Sequence, residues 1–127
     1  MNSTFTKILC FLLALVLILF GLNKFIEFSF LPLPQLPESA ANFMTSLSAT
    51  GYVLPIVGAL EVGIGLLLLF RKWVAFALLL LAPISINIFL FHLFLDMPGI
   101  IPAIIIVLIN GILIYKYWNA YRPLFQY

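Results

Sequence analysis

Lys24, Glu61, Asn87 and His92 each interrupt a stretch that is otherwise apolar, with Asn23, Glu27 and Asn110 in similar settings. A carboxylate facing an ammonium away from water can pass a proton or hold a polar head group. An unpaired acid at the centre of an apolar helix costs about 2.5–3.5 kcal/mol on insertion scales, so Glu61 requires a partner or a proton. Lys24 is the obvious partner. Glu27 competes for it, three residues further along the same helix. The same residue types also serve plain packing: polar contacts between membrane helices contribute about 0.6–2 kcal/mol each.

No catalytic motif completes this set. The chain has one cysteine, Cys10, which is expected to pack as a small apolar residue; neither an internal disulfide nor a Cys-x-x-Cys pair can form. A single histidine excludes bis-histidine haem ligation within one chain. Gly-rich phosphate loops, His-Glu-x-x-His and Gly-x-Ser-x-Gly are absent. No metal site is expected, and the chain carries no cofactor motif of its own.

The elements that position these residues follow from composition. Of 127 residues, 65% are hydrophobic and 8% charged, at mean hydropathy +1.27, whereas a soluble domain carries about 25% charged residues. Too few polar groups remain to face water, so the lipid bilayer is the expected solvent. The net charge of +2 gives no reason to invoke nucleic acid. A spanning helix needs about 20 mostly apolar residues, and four segments fit: 5–28, 53–70, 73–94 and 100–118. The expected fold is all-α: one domain over residues 1–127, an integral membrane four-helix bundle. The first segment has the look of a signal sequence, but no Ala-x-Ala-like site follows it, so it is taken as a retained span.

Orientation follows from Lys and Arg. Lys7, Arg71, Lys72, Lys116 and Arg122 flank one side, and Glu38 and Asp96 fall in loops of the other. Both termini and the Arg71–Lys72 turn are therefore expected in the cytoplasm, in a multi-pass protein of the bacterial inner (cytoplasmic) membrane. The long loop begins with LPLPQLPE, which its prolines keep extended. ESAANFMTSLSATG then has Ala40, Phe43, Met44 and Leu47 at i, i+3, i+4 and i+7, with Gly51 to end the helix. This short extracytoplasmic amphipathic helix between the first two spans is expected to act as a lid, through Phe43, Met44 and Leu47.

At 1.5 Å per residue, Glu61 and Asn87 each lie about 12 Å below the outer boundary, Lys24 about 9 Å and His92 about 5 Å, with Asn110 near the midplane. Side chains lean toward their helix N-terminus. Heads on antiparallel helices then converge, so a polar pocket of Lys24, Glu61, Asn87, His92, Asn23, Glu27 and Asn110 is expected in the outer half. Gly58 and Gly65, flanking Glu61 on its face, allow a close neighbour. Pro83 would kink the third span and open space beside Asn87.

Three stretches carry a resemblance. LFGLNKF (19–25), GALEVGIGLLLLFRK (58–72) and APISINIFLFHLFL (82–95) together resemble the DoxX and DoxX-like family of small bacterial membrane proteins. The shared elements are Gly-x-x-Lys at Gly21–Lys24, a Glu followed by glycines at Glu61, Gly63 and Gly65, and Asn-x4-His at Asn87 and His92. The resemblance covers nearly the whole chain and implies four transmembrane helices. The family takes its name from a membrane subunit of thiosulfate:quinone oxidoreductase. It thus implies an accessory or quinone-interacting role in a membrane redox system, with a quinone as ligand and a redox partner protein, or a further copy of the chain, beside it. A cofactor or partner would have to bring the electron carrier. Two other classes stay open. One is a small-molecule or proton-coupled transporter; the small multidrug exporters share the size and a key glutamate, but in their first helix. The other is a structural or assembly subunit.

Overall fold

The computed structural model of the chain describes residues 3–25 and 36–126. Among them there are helices and no strand: α1 (Thr4–Phe25), α2 (Glu38–Ala49), α3 (Val53–Leu69), α4 (Val74–Leu95), α5 (Ile100–Lys116) and α6 (Trp118–Tyr121). Short 3₁₀ turns at Met97–Gly99 and Arg122–Phe125 complete the order. α1, α4, and α5 with the turn before it, are long and apolar enough to cross a membrane. α3 has 17 residues, about 26 Å of helix against about 30 Å of hydrocarbon. α2 and α3 together make a fourth candidate span, bent by 90° at their junction. The fourth expected segment stops short of 118, because the helix breaks at Tyr117. Residues 26–28 of the first expected span, Glu27 among them, lie outside the described residues, as does most of the proline-rich stretch.

Buried positions recur at spacings of three and four, the stripe by which apolar helices pack. On α3 the stripe is Leu54, Gly58, Glu61, Gly65 and Leu68, and on α4 it is Val74, Ala77, Leu78, Leu81 and Ser85. On α5 it is Ala103, Ile106, Asn110 and Leu113. α1 contributes Cys10, Leu13, Ala14 and Leu17 to the same core. The opposite faces expose Phe11, Leu60, Ile86 and Leu108 among many large apolar side chains, a surface matched to lipid rather than water. Packing is chiefly pairwise: α1 against α3 and α4 against α5, joined by smaller α3–α4 and α1–α5 contacts.

The ends of the helices follow local chemistry. Ser3 caps α1, its Oγ accepting from the Thr6 N–H at 3.2 Å. At the α2–α3 junction one hydroxyl serves both helices: Thr50 Oγ1 donates to the Leu47 carbonyl at 2.6 Å and accepts from the Val53 N–H at 3.2 Å. Gly51 beside it takes φ +78°, which turns the chain. α3 ends in a Schellman arrangement, with Lys72 N–H donating to Leu67 O and Arg71 N–H to Leu68 O. Arg71 and Trp73 both adopt left-handed backbone, at φ 58° and 51°. Such a position costs a residue with Cβ about 1–2 kcal/mol, so this tight hairpin is held against local preference by packing of α3 and α4. Tyr121 secures the same end, its hydroxyl donating to Ala75 O at 2.7 Å.

Candidate functional site

Among the described residues, the expected site residues fall into separate sets rather than one pocket. The first joins α1 to α3. Lys24 and Glu61 are brought together because their helices nearly touch. A Cβ on Gly21 would stand 2.7 Å from Gly58 O, and one on Gly65 would stand 3.0 Å from Ala14 O. Both glycines are needed at this crossing, and Glu61 lies between Gly58 and Gly65 on the contact stripe. Lys24 Nζ straddles the carboxylate, 2.9 Å from Oε1 and 3.2 Å from Oε2. Only the Oε2 contact is aligned as a hydrogen bond; Oε1 is buried with no aligned donor. The Glu61 side chain is 1% exposed and that of Lys24 19%. The acid is therefore sealed inside while the ammonium reaches the surface of the bundle. Asn23, also buried, stands beside Lys24.

The second set joins α4 to α5. Ser85 Oγ donates to Asn110 Oδ1 at 2.9 Å, and Asn110 Nδ2 donates to Leu78 O at 3.2 Å. Both side chains are buried, and each has a partner inside the bundle. Asn110 thus locks two helices and does not join Lys24 and Glu61 as the depth estimate implied.

The third set lies at the end of α4. His92 Nδ1 and Asp96 Oδ2 are 3.0 Å apart. Phe91 sits edge-on to His92 at 5.0 Å between ring centroids, and Phe43 of α2 reaches Phe91 at 5.5 Å. Phe43 is partly exposed, and Met44 and Leu47 are half-buried. α2 packs across both α3 and α4, and Phe43 covers the His92 end of α4.

Asn87 joins none of these sets. It is exposed, and its Nδ2 donates to Pro83 O at 2.8 Å, within its own helix. The expected convergence with Glu61 fails on rotation rather than depth: Asn87 is two residues past Ser85, about 200° around the helix. α4 runs through Pro83 as one helix. Two open surface clefts lie elsewhere. The first is lined mainly by the start of α1 and the end of α3, the second by α5 alone.

No family model, curated protein or solved structure matches the chain.

Several partners were not singled out in the sequence. Ser85 lies on the α4 stripe at Leu78+7 and Leu81+4, a spacing that marks it as inward-facing. Asp96 is four residues after His92, within reach along one helix face. Arg71, whose Nη2 donates to Tyr117 Oη at 3.3 Å, had no such signal, because its inward turn depends on left-handed backbone at a non-glycine residue.

Proposed function

We propose that this chain is a DoxX-like, multi-pass protein of a bacterial cytoplasmic membrane and serves as an accessory subunit of a membrane redox system. In this reading the Lys24–Glu61 pair exchanges a proton with a quinone head group or hydrogen-bonds to it. The observation that carries the reading is the buried Lys24–Glu61 pair, in which Lys24 Nζ lies 2.9 Å from an Oε1 that has no aligned donor. A carboxylate so sealed in an apolar bundle has capacity for a proton. Lys24 supplies the route outward, because its side chain alone of the pair is accessible. The gathering of Lys7, Arg71, Lys72, Lys116 and Arg122 at one end supports cytoplasmic termini. It would leave α2 on the outer face, with Phe43 as part of a lid.

A structural role is favoured for one part only. Ser85 and Asn110 satisfy each other and Leu78 O, which suits a packing lock.

Purification in mild detergent, followed by mass spectrometry of the extracted lipid fraction, tests the reading. Stoichiometric quinone is expected with the parent chain and is expected to be lost in Glu61→Gln, with helical content and melting retained. Absence of quinone from the parent, with a partner subunit co-purifying instead, would replace the redox reading with an assembly role.

A further inference from the structure

The opposite end of the bundle holds a cleft of about 380 Å³ between the start of α1 and the end of α3. At about 30 Å³ per water that is room for about a dozen waters, enough for a phosphodiester and the first carbons of its chains. Its walls combine two chemistries. Ile8, Phe11, Leu68 and Leu69 are apolar, whereas Lys7 and Arg71 are cationic. Among the described residues neither cation has a carboxylate within ion-pair distance; the ion pairs found there are Lys24–Glu61 and His92–Asp96, near the other end. Arg71 donates from Nη2 to Tyr117 Oη, and its guanidinium also meets the buried Cys10 thiol, so one edge is held by the bundle while the residue lines the cleft. The Schellman turn and the left-handed backbone at Arg71 hold the residue at the cleft rather than out in the loop.

We infer that this cleft binds the head group of an anionic phospholipid, with the phosphate between Lys7 and Arg71 and the acyl chains along Ile8, Phe11 and Leu69. A phosphate is the acceptor that suits an ammonium and a guanidinium facing one cleft with no carboxylate between them among the described residues. The apolar wall selects a lipid over a free anion, because it gains only from a ligand with chains. Lys7 is exposed, and among the described residues no side-chain hydrogen bond or ion pair holds it, so it can close on the head group. The site stands independently of the redox reading, since it uses none of the same residues.

Native mass spectrometry in detergent, with added phosphatidylglycerol, phosphatidylcholine or inorganic phosphate, tests it. Phosphatidylglycerol is expected to stay bound where phosphatidylcholine and phosphate leave. Lys7→Gln and Arg71→Gln should each weaken that retention about fivefold, the weight of one basic residue at an anionic membrane surface. Lys72→Gln, an exposed neighbour outside the cleft, should leave it unchanged. Arg71→Gln also breaks the bond to Tyr117, so Lys7→Gln carries the decision if the first variant fails to fold. Equal retention of both lipids, an equal effect of phosphate alone, or an equal loss in Lys72→Gln would each overturn the assignment.

Discussion

The two principal helix pairs of this bundle each bury a polar lock, but of opposite kinds. α1 and α3 are joined by an ion pair at a glycine crossing, and α4 and α5 by a neutral serine–asparagine contact. The neutral lock is closed: Asn110 gives and receives inside the bundle, and nothing further is asked of it. The ionic lock is open, because Glu61 keeps an oxygen with no aligned donor. A charge pair also depends on both members, since removing one strands the other in an apolar medium. Packing alone is served as well by the cheaper neutral design. The contrast therefore separates an α1–α3 contact that holds a buried charge from an α4–α5 contact that is neutral and closed.

The sharpest way to break this contrast is to strand the acid. Lys24→Met should destabilise the bundle by about 3–5 kcal/mol, the usual cost of leaving a buried charge alone. Glu61→Gln should cost less, because the amide oxygen still accepts from Lys24 and the ammonium can reach the surface. Combining the two should cost at least about 1 kcal/mol less than their sum in detergent unfolding. Strict additivity would mean that the pair is not coupled and that the two locks are equivalent.

A smaller effect is expected from the neutral lock. Asn110→Leu should cost about 1–2 kcal/mol, through loss of its bonds to Ser85 and Leu78 O, although Ser85 Oγ keeps Ala82 O. Asn87→Leu, on the exposed face of α4, should stay within about 0.5 kcal/mol. Equal losses at the two positions in the same unfolding assay would return Asn87 to the core.

The smallest effect is confined to high pH. Tyr121 donates to Ala75 O, and burial first, with Tyr117 second, pushes its pKa up from 10 to about 12. The folded state thus holds this proton more tightly than the unfolded chain. Its contribution is complete below pH 10 and is lost as pH rises through about 12. Melting temperature should fall across that window in the parent beyond the fall seen in Tyr121→Phe, and the late part of the tyrosinate absorbance titration should shrink in that variant. Parallel pH profiles would show that this hydroxyl does not hold α6 to α4.

How much of this was legible in the sequence depends on which coordinate of a helix is asked for. Depth was readable, because rise per residue is fixed: Lys24 and Glu61 are opposed, and they meet. Rotation was the weaker guide. Glu61, Ser85 and Asn110 all lie on three-and-four stripes, and counting from Leu81 would have put Asn87 outside and Ser85 inside. The hairpin at Arg71–Trp73 was legible as a turn from its charges, but not its left-handed backbone, for which glycine is the usual signal. α2 was legible from its apolar spacing, and its Phe43 meets Phe91; the break after Lys116 had no proline or glycine to announce it. Function was legible only as a resemblance, because no cofactor motif lies in the chain.

Lys24 and Glu61 are separated by 37 residues, and this distance sets a timetable. At about 5–20 residues per second, the ribosome needs about 2–7 s to deliver the acid after the lysine. Throughout that interval α1 carries an ammonium with no counter-charge on α3, so its packing is provisional. Only the arrival of α3 completes the first helix.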